Sequence, residues 1–302
     1  MKTNSNNHWF KLENLPVESF IDDIDFIRDN KHQLNWNNIS KYKKLTKKFI
    51  EEFQDFIIWE QIKLHHNFSE RYLNKFKNVN WKIVNERVEF IRKYDKRTII
   101  GNYYFKDEWM IFDSNLNLSF INIIKLPDNF KVCRNLHLYY SKIIKLPDNL
   151  KVGGNLDLRD TKIIKLPDNL KVGGSLYLNH TKITELPDNL KVGEWLNLSY
   201  TPITELHDNL KVGGTLDLEN TSITKLPDNL KVVSGYLDLN NTPITKLPDN
   251  LEVSEWLDLR NTKITKLPDN LKVGGSLNIE YTNITKLPDN LKVGGGIHKD
   301  FL

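Results

Sequence analysis

The tetrapeptide Leu-Pro-Asp-Asn recurs at Leu126, Leu146, Leu166, Leu186, Leu226, Leu247, Leu267 and Leu287, and once more from Leu206 with His207 in place of Pro. The step is 20 residues, except for one of 21 where an extra residue falls within 233–236. Units this short cannot bury an apolar face alone, so nine of them in series must stack on one another. The period therefore dictates a solenoid before any element is assigned. Degenerate copies extend it outward, through Leu116 and Leu118 at one end and Ile297 at the other, giving nine to ten coils.

One unit, from Leu146, reads LPDNLKVGGNLDLRDTKIIK. Leu156-Asp157-Leu158 alternates apolar and polar, the period of a half-buried strand. Its copies at Leu136, Leu176, Leu196, Leu216, Leu237, Leu257 and Leu277 predict one parallel sheet. Thirteen of the 14 glycines lie at or after Gly153, often paired as in Gly173-Gly174, and mark a corner needing positive φ or close backbone approach. Pro-Asp-Asn supplies a second corner, because Pro presets φ and Asp or Asn closes the turn locally. A threonine three residues after each Leu-x-Leu, from Thr161 to Thr282, is expected to be buried and to bond neighbouring backbone as a ladder.

The pattern Leu-x-Leu-x-x-Thr-x-Ile-x-x-Leu-Pro over roughly residues 112–302 resembles a short leucine-rich repeat, with Thr where that family usually has Asn or Cys. Its 20-residue period and Leu-Pro-x-x-Leu stretch are similar to the compact repeats of bacterial secreted effectors. That resemblance implies a right-handed solenoid, a protein-binding role and a bacterial or phage source. The ubiquitin ligases among those effectors add a catalytic cysteine domain, which nothing here matches. A second alternating segment, Leu150-Lys151-Val152, precedes the Gly pair and predicts a strand on another side. The coil is thus either an open horseshoe or a flattened, two-faced solenoid.

The first third repeats with a helical signature. Trp36, Trp59 and Trp81 are spaced by 23 and 22 residues, and shared offsets from the first two give Phe49 and Tyr72, then Phe53 and Phe76. Thr46 and Ser69 stand as N-caps, so each unit reads as two short helices. The fold class is therefore an α+β repeat protein: a helical cap domain over 1–110, covering the open apolar end of a solenoid over 111–302. The chain contains no alanine, which argues against a mainly helical protein. At the C-terminal end only Ile297, Phe301 and Leu302 are left to cover the last coil, so self-association through that edge is expected.

Composition excludes several functions. The single cysteine, Cys133, rules out an intrachain disulfide and Cys-based zinc sites; it fills a Gly position of its repeat and reads as a neutral substitution. No phosphate-loop motif occurs, and His65-His66 are adjacent on a predicted helix and point apart. The chain is expected to be non-enzymatic, without cofactor or metal. The start, MKTNSNNHWF, has no signal-peptide pattern, and no run of about 18 apolar residues occurs. A cytoplasmic protein without a membrane span is expected. Residues 1–110 carry 20 Lys and Arg against 16 Asp and Glu, while the remainder is balanced at 23 each.

A solenoid turns each repeat position into a column of side chains about 4.8 Å apart. Outward from the Leu-x-Leu sheet the central column runs His137, Asp157, Tyr177, Asn197, Asp217, Asp238, Asp258, Asn278. One flanking column adds Trp195, Tyr236 and Trp256, the other Arg159, Glu219, Arg260 and Glu280. Over 135–280 this face holds six acids against two arginines and displays four large aromatic residues. Exposed Trp and Tyr are favoured at binding hot spots. The expected site is therefore Tyr177, Trp195, Asp217, Tyr236, Asp238, Trp256, Asp258 and Arg260, with Trp195 and Trp256 as paired anchors, docking a protein with a basic patch. A narrower version makes the chain an inhibitor of a basic nucleic-acid-binding host or defence enzyme. The alternative is nucleic-acid binding by basic helices through Lys43, Lys44, Lys47, Lys48, Arg92, Lys93, Lys96 and Arg97, with the solenoid as recruiter. A lysine column from Lys131 to Lys292, beside an aspartate column from Asp128 to Asp289, reads as a charge-balanced solvated surface.

Overall fold

The computed structural model describes residues 12–42, 44–94, 103–106, 109–230 and 234–300. They form two compact units, one holding the helices through Tyr94 with residues 104–106, the other holding the coils.

In the helical unit each repeated tryptophan opens a helix: α1 is Ile24–Asn30, α2 Trp36–Lys41, α3 Lys47–Glu52, α4 Trp59–His65, α5 Glu70–Leu73 and α6 Trp81–Tyr94. Thr46 Oγ1 and Ser69 Oγ accept from the Phe49 and Tyr72 amides, capping α3 and α5 as the sequence predicts. Helices this short are marginal alone and depend on packing. The Trp36 ring lies 5.5 Å from Phe53, and Trp59 lies 4.4 Å from Phe76, so the repeated offset is a repeated ring contact. A buried ion pair at 2.7 Å joins Glu60 of α4 to Arg87 of α6.

In the coil unit the Leu-x-Leu segments pair parallel in direct register, Leu156 against Leu136 and Leu176 and so on, making a ten-stranded sheet. The Lys-Val segments pair on a second parallel sheet, with Lys191 opposite Lys211 and Val192 opposite both Val172 and Val212. Both alternating segments are therefore strands, and the coil is two-faced. Between the sheets the Leu, Ile and Val columns are almost entirely buried.

The glycine corner is required by close approach. A Cβ on Gly173 would stand 2.1 Å from the Gly153 carbonyl oxygen, and one on Gly193 2.0 Å from that of Gly173. Apart from Asn129 in a Pro-Asp-Asn turn, positive φ among the described non-glycine residues falls at one coil position, at Phe120, Tyr140, Asp160, His180, Tyr200, Asn220, Asn241, Asn261 and Tyr281, all with φ of 53–59°. That residue turns the chain out of the Leu-x-Leu strand. It also changes the role expected of the threonines. They are buried, but each bonds its own coil: Thr201 Oγ1 donates to the Leu198 carbonyl at 2.6 Å, and Thr161, Thr181, Thr221, Thr242 and Thr262 repeat the contact. The reversal just before the threonine brings its hydroxyl to the carbonyl three residues back, so no inter-coil threonine ladder forms.

At the C-terminal end the strand Ile297–His298 pairs with Leu277–Asn278 but is exposed. Leu287, Leu291 and Val293 are half-buried there, where their counterparts are buried. Phe301 and Leu302 lie outside the described residues.

Replacing Thr221 by Val keeps the shape and deletes the bond to Leu218. The loss should be ~1–2 kcal/mol, a drop of roughly 2–6 °C in Tm, with Thr221→Ser recovering most of it. Melting of the Val variant at the wild-type temperature would show that the hydroxyl contributes nothing.

Candidate partner-binding surface

The outward central column forms in the register the sequence predicts, His137 beside Asp157, Asp157 beside Tyr177, and Asp217 beside Asn197 and Asp238. Most of its carboxylates and amides have a local task. Asp157, Asn197, Asp217, Asp238, Asp258 and Asn278 each accept from the backbone N–H two residues on, at 2.8–3.2 Å. These Asx turns close each strand end. The column is thus acidic partly because the backbone requires Asp or Asn there, and Tyr177 departs from that rule.

The flanking column has a second device. Asn115 Oδ1 accepts from the Asn135 N–H, Asn135 from Asn155, Asn155 from Ser175, and Ser175 Oγ from Trp195, at 2.8–3.3 Å. One side chain per coil thereby holds the next coil's backbone. Trp195, Tyr236 and Trp256 interrupt this ladder, since their rings offer no acceptor to the backbone of the following coil. Thr215 restores one rung, accepting from the Tyr236 N–H at 3.4 Å.

The rings are brought together selectively. Tyr177 meets Trp195 edge-on at 5.4 Å, and Trp195 meets Tyr236 at 6.1 Å across the small Thr215. All three are half-buried, and among the described residues the buried Trp195 Nε1 has no hydrogen-bond partner. Trp256 is 64% exposed and makes no ring contact with this cluster among the described residues. Trp195 and Trp256 are three coils apart, about 14 Å. They are therefore not adjacent anchors: one belongs to a cluster and the other stands alone.

The face carries less charge than its residue count suggests. Arg159 binds Asp157 through Nε and Nη2 at 2.9 and 2.6 Å, and Arg260 binds Asp258 at 2.7 Å. Burial alone raises the Asp157 carboxyl, but hydrogen bonds from Arg159 and His137 outweigh it and hold the group at about 2. Among the described residues no cation pairs with Asp217 or Asp238. Burial pushes them up to about 6 and about 7, outweighing the turn amides that favour the charged form. Asp217, expected on an outward face, is only 9% exposed because stacked neighbours cover it. Burial, with both acids alongside, pushes Tyr236 up to about 12.

The other surfaces pair differently from the sequence expectation. The turn aspartates bond the lysines three residues before them, Lys145 with Asp148 and Lys246 with Asp249 at 3.4 Å. Lys171, Lys191 and Lys211 remain exposed in register. On the helical unit Lys44, Lys47, Lys48, Arg92 and Lys93 are exposed, while Lys43, Lys96 and Arg97 lie outside the described residues. Lys44 and Lys48 share a groove with Glu18, Asp22, Asp23, Asp25 and Glu52. Lys47 covers the Tyr72 ring, and Arg92 donates to the Lys63 carbonyl. Among the described residues no three His, Cys, Asp or Glu side chains gather as a metal site, and no helix is long and apolar enough to cross a membrane.

Stacked 20-residue coils with in-register Leu-x-Leu strands define a leucine-rich-repeat solenoid, preceded in this chain by a helical region. The chain is similar to the solved leucine-rich-repeat domain of a Shigella effector, at 21% identity and a TM-score of 0.35, over 62% of this chain and 81% of that one. It is also similar to YopM from Yersinia enterocolitica WA-314, at 17% identity and a TM-score of 0.32, over 85% of this chain and 66% of that one. No protein-family model matches the chain, and no curated protein does.

Because Asp217 and Asp238 bind protons more tightly folded than unfolded, folding is favoured at low pH and loses stability as pH rises from about 4 to 7. Tm should fall by several degrees over that window. Asp217→Asn with Asp238→Asn should flatten the slope, since Asn occupies the same register at Asn197 and Asn278. An unchanged slope in the double variant would mean that neither group is perturbed.

Proposed function

We propose that the solenoid is a non-enzymatic protein–protein interaction module, docking a partner with a basic patch through the Leu-x-Leu face around Tyr177, Trp195, Tyr236 and Trp256. Asp217, Asp238, Asp258 and Arg260 border these rings. One observation carries the reading: at Trp195, Tyr236 and Trp256 the chain gives up the side-chain ladder that runs from Asn115 to Ser175 and returns at Thr215, and displays rings instead. Departures from local consistency of this kind concentrate at functional sites.

The basic partner is argued from charge. Asp217, Asp238, Glu219 and Glu280 are the acids on this face that lack an arginine of their own. A cationic partner would draw Asp217 and Asp238 to their ionised forms, so binding should tighten as pH rises from about 5 to 8. In the narrower version, the partner is a nucleic-acid enzyme whose phosphate-binding surface the face occupies. The alternative through the basic helices has weaker support, because acids line the groove beside Lys44 and Lys48.

The test is a triple variant, Trp195→Asn, Tyr236→Thr and Trp256→Asn, which restores ladder acceptors. Its Tm should equal or exceed that of the wild type, while recovery of the specific partner in a pull-down from the native host falls at least tenfold. Undiminished recovery by a folded triple variant would sink the reading. Retention of the full chain on heparin at physiological salt, lost on replacing Lys44, Lys47 and Lys48, would favour the helices instead.

A further inference from the structure

The positive-φ column that leaves the Leu-x-Leu strand is occupied unevenly. Asn is a low-strain residue at φ near 55°, and the chain uses it at Asn220, Asn241 and Asn261. In the earlier coils the same position holds Phe120, Tyr140, His180 and Tyr200. The Phe and Tyr rings there are outliers, whereas His, like Asn and Asp, is enriched at positive φ. They are also on display, with Phe120 68%, Tyr140 56% and Tyr200 47% exposed. Strain borne by surface rings points to a use for the rings rather than to packing.

The rings form a ladder with one rung missing. Phe120 and Tyr140 stack at 5.5 Å with planes 5° apart, and His180 and Tyr200 stack at 4.7 Å with planes 20° apart. Between the two pairs the position is Asp160. The Asp160 N–H bonds the Asn179 carbonyl, and the Tyr140 N–H bonds the Arg159 carbonyl, so the three coils are directly adjacent. Two coil steps put the Tyr140 and His180 backbones about 10 Å apart, room for one planar group between the rings. No hydrogen bond or ion pair reaches the Asp160 carboxylate among the described residues. The Asp160 coil thus has a ring in the coil on each side and, between them, a carboxylate with no partner among the described residues.

The adjoining columns show what such a notch accepts. There the Arg159 guanidinium is 5.2 Å from the Tyr139 ring of the preceding coil and 5.6 Å from the Tyr177 ring of the following coil, while it binds the Asp157 carboxylate. A planar cation between two rings and over a carboxylate combines cation–π attraction with a charge-assisted hydrogen bond. One position along stand a tyrosine ring, a histidine ring and a carboxylate, and the arginine is absent.

We propose that the notch formed by Tyr140, Asp160 and His180 is a receptor for an arginine side chain on a partner protein. Guanidinium fits its three requirements: a plane to stack, a positive charge for Asp160, and donors in that plane. Lysine lacks the plane. A nucleotide brings a phosphate that Asp160 repels. The notch shares no residue with the Leu-x-Leu docking set, so it stands or falls separately.

The test uses the full chain and the peptide Ac-Gly-Ser-Arg-Ser-Gly-amide, with counterparts carrying citrulline or lysine at the centre, followed by NMR of the aromatic ring signals. The arginine probe should shift the Tyr140 and His180 signals and bind at least fivefold more tightly than either counterpart. Asp160→Asn, compatible with the backbone because Asn fills this place in later coils, should weaken the arginine probe at least fivefold with an unchanged melting curve. Tyr140→Asn should weaken the arginine probe by as much, without lowering Tm. Equal shifts by arginine and citrulline, indifference to Asp160→Asn, or no shift with millimolar probe would overturn the proposal. So would a response of these rings to a neutral oligosaccharide with the arginine probe silent.

Discussion

Everything in the coil unit depends on the parallel, in-register hydrogen bonds between successive coils. The Leu156 N–H bonds the Ser175 carbonyl, Leu158 bonds Tyr177, and Leu176 bonds Trp195, each at 2.7–2.9 Å. Register leaves no freedom: a slip of one residue would turn every leucine outward and every outward residue into the core. The glycine corner follows from it, because coils held this close leave no room for a Cβ beside the preceding carbonyl. So do the Asx turns, the threonine bonds and the Asn ladder, each of which secures a backbone group that the short strands leave unpaired.

Much of this was legible in the sequence, since a fixed period combined with alternation identifies columns without coordinates. The central column, its neighbours and the second strand at Lys151–Val152 could all be read off, and the Trp36 and Trp59 offsets located the helices and the Thr46 and Ser69 caps. Hydrogen-bond direction could not be read. Thr201 bonds its own coil rather than the next because of the backbone at Tyr200, and nothing in the residue type reveals a φ of 56°. The ionisation of Asp217 and Asp238 was equally hidden, since an outward position in a strand gives no measure of how far its neighbours cover it.

The positive-φ column is hidden in the sequence for a related reason. Its members, Phe120, Tyr140, Asp160, His180 and Tyr200, look like ordinary surface variation when each unit is read alone. A signal was present nonetheless: reading down that position, ring follows ring until Asp160, and Asn takes over after Tyr200 apart from Tyr281. The same downward reading separates the Leu-x-Leu face into Asp and Asn, which the backbone needs, and Tyr177, Trp195, Tyr236 and Trp256, which it does not. Two adjacent faces of one scaffold thus carry information by the same means, the replacement of a residue that helps the fold with one that does not.

The side-chain ladder also bears on how such a chain can change over generations. Each coil meets only the coils on either side, so a broken rung at Trp195 weakens one junction and leaves the others intact. An in-frame duplication or loss of one unit would lengthen or shorten the molecule while every remaining residue stayed in its column. Recognition surfaces built in this way can be rewritten one coil at a time, with the rest of the array held as an unaltered record.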